Sequence, residues 1–135
     1  MYADLLSAIK QLLLDTSAFK SVVCGVGAPD GGYPAANLWL QKGTEVGGKN
    51  DTLEDEQILV QVQYYPDDDK EQSYLDLVDL LATAKKAINR ARLPGHGAQQ
   101  VSVPDFEAMR LPDNGAMVYV LKVGVRVNPS SFTTT

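Results

Sequence analysis

The stretch "QILVQVQYYPDDDKEQSYLDLVDLL", residues 57–81, changes its apolar period halfway along, and that change decides the fold. Up to Tyr64 the period is two, with Ile58, Val60, Val62 and Tyr64 on one side of an extended chain and Gln61 and Gln63 on the other. Across residues 69–91 it becomes 3.6, and Tyr74, Leu77, Val78, Leu81, Ala84 and Ile88 form one stripe down a helix. Between the two, Pro66 breaks the strand and Asp67, Asp68 and Asp69 precede the helix. With Asp68 as N-cap, Glu71 is the third helical residue, which gives the spacing of a capping box. Lys85, Lys86, Arg90 and Arg92 then fall at the helix's far end, where its dipole favours cations.

Working outward, residues 3–14 place Leu5, Leu6, Ile9, Leu12 and Leu13 at helical spacing. "FKSVVCGV" has the composition of a short strand, and "AANLWLQK", residues 35–42, alternates Ala36, Leu38 and Leu40 against Asn37, Trp39 and Gln41. After the helix, Pro94 and Gly95 introduce a loop, "QVSVP" reads as a short strand, and Pro112, Asn114 and Gly115 mark a turn. Residues 116–127 form a last strand, with Met117, Tyr119, Leu121, Val123, Val125 and Val127 facing one way and Lys122 and Arg126 the other. The order α-β-β-β-α-β-β predicts an α+β fold, a mostly antiparallel sheet of about five strands with two helices on one face. Residues 1–127 make a single domain and residues 128–135 a flexible tail. Between the second and third strands, residues 43–56 read as a polar hairpin loop much longer than the usual two to five residues, a length that points to function.

The chain has 135 residues and a net charge of −5, enough for one core and the wrong sign for gripping phosphate backbones. Its single cysteine, Cys24, lies in an apolar run where a buried thiol is expected. No stretch approaches a membrane span, and the N-terminus reads as a helix rather than a leader. An EF-hand starting at Asp67 fails at Gln72, where glycine is needed, and at Val78, where glutamate is needed. "GVGAPDGG" resembles a phosphate loop, but a strand follows it instead of a helix. Cys24 and His96, one of each kind, are too few for a zinc site, and nothing in the sequence pairs them as nucleophile and base. No metal, cofactor or catalytic residue is therefore expected, and the chain reads as no enzyme. A small metal-dependent enzyme or ligand-binding domain built on Asp67–Asp69 is the alternative from another class. Trp39 is open between two roles, core of a second layer or aromatic anchor at an interface.

The helix "LLSAIKQLLL", the strand "YPAANLWLQ", the long polar hairpin, the strand "ILVQVQYY", the helix "YLDLVDLLATAKKAI" and the strand "MVYVLKVGVRV" together resemble, over residues 1–127, the tail terminator (tail completion) proteins of long-tailed bacteriophages. The family is that of the lambda-type minor tail protein U and its Mu-like prophage relatives. The resemblance implies a hexameric ring of this chain that caps the tail tube, ends tail elongation and offers a joining surface to the head. It implies the tail tube protein and the head-tail connector as partners, the virion tail as location after assembly in the bacterial cytoplasm, and no membrane or specific nucleic-acid binding, although DNA passes through the ring. It makes the long hairpin an assembly surface with Glu45, Lys49, Asp51 and Glu54 as its charged contacts, and Trp39 and Tyr65 subunit anchors. A head-tail connector, neck or other minor tail protein is the nearest alternative.

Overall fold

The computed structural model describes residues 2–25, 31–46, 53–65, 67–91, 93, 98–110 and 117–127. Its elements are α1 (Tyr2–Leu14), β1 (Ser21–Cys24), β2 (Ala35–Val46), β3 (Leu53–Tyr64), α2 (Lys70–Ile88), β4 (Ala98–Arg110) and β5 (Met117–Val127). The five strands form one sheet in the order β1-β2-β3-β5-β4. Only β1 and β2 run parallel; the other three pairings are antiparallel. This is the α+β architecture expected from the order of elements.

Alternation selects the covered face. Ala36 and Leu38 of β2, Ile58, Val60 and Val62 of β3, and Leu121, Val123 and Val125 of β5 are buried in one cluster with both helices. α1 contributes Leu5, Ile9 and Leu13, spaced four apart, and α2 contributes Leu77, Leu80, Leu81, Ala84 and Ile88. Burying each such Leu or Ile is worth about 1.5–3 kcal/mol, so this shared layer holds helices and sheet together. The α2 stripe is rotated from the expected one. Leu80 and the small Ser73 turn inward, while Tyr74 stays 46% exposed and joins its hydroxyl to that of Tyr119 at 2.9 Å.

Three expectations are corrected. The 43–56 loop is largely ladder: Gly43–Val46 pair with Leu53–Glu56, which leaves only 47–52, outside the described residues. Its polar composition hid this, because backbone pairing needs no apolar side chains and β3 is also held by β5 along its other edge, from Glu54 opposite Val127 onward. β4 extends well beyond "QVSVP" to Arg110; as an edge strand it accommodates Pro104, with two register irregularities. Cys24 is exposed, because it ends β1, the edge strand of the sheet. Pro66, Arg92, Pro94, Gly95, His96, the 112–115 turn signals and the 128–135 tail lie outside the described residues. α2 ends as its charges suggest. Lys85 and Lys86 occupy the last turn, and beyond the C-cap Asn89, Arg90 takes φ 64° and donates its N–H to Val101 O at 2.8 Å.

Candidate assembly surface

The aspartates between β3 and α2 are engaged in starting the helix. Asp69, not Asp68, is the N-cap, with φ −91° and ψ 90°, and its carboxylate accepts the Gln72 N–H at 3.0 Å. Asp67 accepts the Asp69 N–H at 2.9 Å and the Ser73 hydroxyl at 2.9 Å, and its own N–H donates to Ser73 Oγ at 3.0 Å. Asp68 and Glu71 are exposed. The helix starts one residue later than the capping-box reading put it, so Glu71 is the second helical residue and Gln72 holds the third position. Gln72 turns its amide to Asp76 at 2.9 Å instead of back to the cap. Tyr64 closes β3 against the same helix by donating to Asp76 at 3.3 Å; burial first, then the Asp76 charge, raises its phenol above the ordinary range. Among the described residues no group of three or more His, Cys, Asp or Glu side chains stands close enough to hold a metal ion.

The sheet's far face carries the rows Asn37–Gln61–Val120, Trp39–Leu59–Lys122 and Asp55–Arg126 across β2, β3 and β5. Asn37, Gln61, Gln63, Val118 and Val120 are buried there although both helices pack on the other face. The Gln63 amide donates to Asn37 Oδ1 at 2.8 Å, and Asn37 donates to Gly25 O at 3.3 Å. Charges line the outer rows. Arg126 grips Asp55 through two bonds, 2.7 and 3.0 Å, which hold that carboxyl below its usual range, and Lys122 stands 3.8 Å from Glu107. Trp39 is half-buried in the midst of this face. A second aromatic group sits on the helix side of the edge strand: Phe106, 44% exposed, meets Tyr119 edge-on at 6.1 Å, under the Lys85 ammonium.

The interface candidates whose side chains are described, Trp39, Glu54 and Tyr65, do not converge on one patch. Tyr65 is 53% exposed beyond the C-terminal end of β3, with its ring 5.7 Å from that of Tyr33. Glu54 lies at the strand's other end, roughly 35 Å away at about 3.3 Å per residue. It lies on the helix-covered face and accepts a hydrogen bond from the Tyr2 hydroxyl. Glu45 stands opposite Glu54 in β2, with its side chain outside what is described, and Lys49 and Asp51 lie outside the described residues altogether. What the sequence reading missed is beside Glu54. Glu56, 2% exposed, lies against Gly43 on the covered face. Extending the β3 alternation back from Ile58 would have found it, since 54, 56 and 58 share a face.

No family model and no curated protein matches this chain. Solved structures do. One of them, a chain of the virion of a native gene transfer agent particle, superposes with a TM-score of 0.66 at 14% identity, over 92% of this chain and 94% of that one. At that identity the likeness is one of fold.

Proposed function

We propose that this chain is a structural protein of a virion, and specifically a tail terminator: copies of it form a ring that closes the tail tube, ends elongation and presents a surface to the head. The observation that carries this reading is the fold shared end to end with a chain of a gene transfer agent virion, with almost nothing left over on either side. The phage-tail resemblance of the sequence supports the narrower role. So does the use of the aspartates, whose carboxylates are met by N–H and hydroxyl donors of a helix start, which is structural work rather than catalysis.

Under this reading the chain's partners are further copies of itself, the tail tube protein and the head-tail connector. The far sheet face with Trp39, and the pair of half-buried Tyr33 with exposed Tyr65, are the surfaces they would cover. Aromatic side chains suit such contacts because they bury large area at low entropic cost. The net charge of −5 per copy suits a ring through which DNA slides without adhering.

Electron microscopy of the concentrated protein, alone and with purified tail tubes, tests the proposal. Rings seated on tube ends are expected. Binding to isolated connectors but not to tubes would move the role to the neck, and a protein that stays monomeric and binds neither overturns it. A magnesium- or calcium-dependent rise in Tm that Asp67→Ala and Asp69→Ala abolish would instead favour the metal-dependent enzyme.

A further inference from the structure

Glu56 is the one charged side chain buried among the described residues. It sits on the helix-covered face of β3, between Gly43 of β2 and Val125 of β5. A methyl group at Gly43 would stand 2.7 and 2.9 Å from its two carboxylate oxygens, so the glycine is what makes room for it. Among the described residues its Oε1 has no hydrogen-bond donor. Two residues back on the same face, Glu54 accepts the hydroxyl of Tyr2, from the first turn of α1.

Among the described residues, the surroundings offer these two carboxylates little positive charge. From α1 the facing titratable groups are Tyr2 and, in the same turn, Asp4. On β2, Glu45 holds the register position opposite Glu54. From β3 it is Asp55, which points to the other face and is held there by Arg126 of β5. The β5 neighbour of Glu56 on the covered face, Val125, is apolar. Of the α2 cations, Lys70 and Lys86 are exposed and Lys85 lies over the Phe106 ring; Arg90, just past the helix, is exposed beside Val101, two strands from Glu56. Two carboxylates two residues apart on one face in such a place cannot both ionise cheaply.

We propose that Glu54 and Glu56 share one proton, and that this proton latches the first turn of α1 to the base of the β2–β3 hairpin. With the proton present, the Glu56 carboxyl donates to the Glu54 carboxylate, which also receives the Tyr2 hydroxyl. Without it, two negative charges oppose each other over Gly43 and the helix start loosens. The titration behaviour agrees. Burial first, then the hydrogen bond and charge of Glu54, hold Glu56 up at about 7, while hydrogen bonds from Glu56 and Tyr2 hold Glu54 below the ordinary range. The bond to Glu54 in turn pushes Tyr2 up to about 12.

The direction of the pH effect follows. Folded Glu56 binds its proton more tightly than the unfolded chain does, so its contribution is complete below the ordinary glutamate value of 4.5 and is lost as pH rises through about 7. Glu54 acts oppositely, and its contribution is lost only as pH falls below 4.5.

Thermal melts and amide hydrogen exchange at pH 5 and pH 8, on the wild type and Glu56→Gln, test the latch. The glutamine keeps a donor for Glu54 and cannot titrate. For the wild type, a Tm fall of about 5 °C from the lower to the higher pH is expected. The Leu6–Ile9 amides, which bond to first-turn carbonyls, should exchange about tenfold faster after correction for intrinsic rates, with the start of α2 unchanged. Glu56→Gln should show neither change. If it keeps the wild-type pH dependence, or if wild-type α1 protection is flat between the two pH values, the latch is wrong. Should Glu56→Gln not fold, Tyr2→Phe gives the second arm: its α1 protection at pH 5 should drop towards the wild-type level at pH 8, and protection unchanged from the wild type overturns the proposal.

Discussion

At the C-terminal end of β3, Asp67 and Asp69 meet N–H and hydroxyl donors; at its N-terminal end, Glu54 and the buried Glu56 stand two residues apart on one face of the strand. Three consecutive aspartates look more like chemistry than two glutamates separated by another acid. In the folded chain their weight is reversed. The aspartates are exposed and two of them satisfy the otherwise orphaned donors of a helix start, whereas Glu56 has lost its water and faces a second carboxylate. Acidic density in a sequence says little until the donors each carboxylate reaches are known.

Substitutions can break or sharpen that contrast. The largest effect belongs to the apolar layer that both ends share: Ile58→Ala removes a fully buried side chain two residues from Glu56 and should cost about 2–5 kcal/mol in chemical denaturation. Next comes Gly43→Ala, whose methyl displaces the Glu56 carboxylate and should cost about 1–3 kcal/mol. In the double variant with Glu56→Ala that penalty should shrink, because the two positions compete for the same space, and additive losses would show that they do not. At the opposite end Asp69→Ala should cost about 1 kcal/mol through loss of the cap. Asp68→Ala is the smallest, within about 0.5 kcal/mol, and a larger loss there than at Asp69 would reinstate the earlier cap.

Much of the fold could be read from the chain because its strands and helices are strongly periodic. The 2-to-3.6 change between Tyr64 and Lys70, the alternation of 117–127 and the Leu5, Ile9, Leu13 spacing each survive in the structure with small shifts of boundary. What escaped were features set by neighbours. Gly43–Val46 and Leu53–Glu56 are polar and glycine-containing, so no local pattern marks them as strand; their pairing partners hold them. Phe106–Arg110 likewise joins the sheet through β5. Charge and aromaticity, on which the interface candidates rest, do not say which way a side chain points. Glu54 faces α1, Tyr65 lies at the opposite end of the same strand, and Trp39 lies between them on the far face. Glu56 required parity counted back across residues that looked like loop.

The contrast between the two ends of β3 is tested most directly by a ¹³C titration of the glutamate side-chain carboxyls in the unmodified protein. With five glutamates in the chain the resonances are few enough to assign. One of them, Glu56, should titrate near 7 while Glu54 titrates below the ordinary glutamate range, its resonance also responding to the Glu56 transition. If all five titrate independently at ordinary carboxylate values, the buried, proton-sharing pair at the hairpin base does not exist.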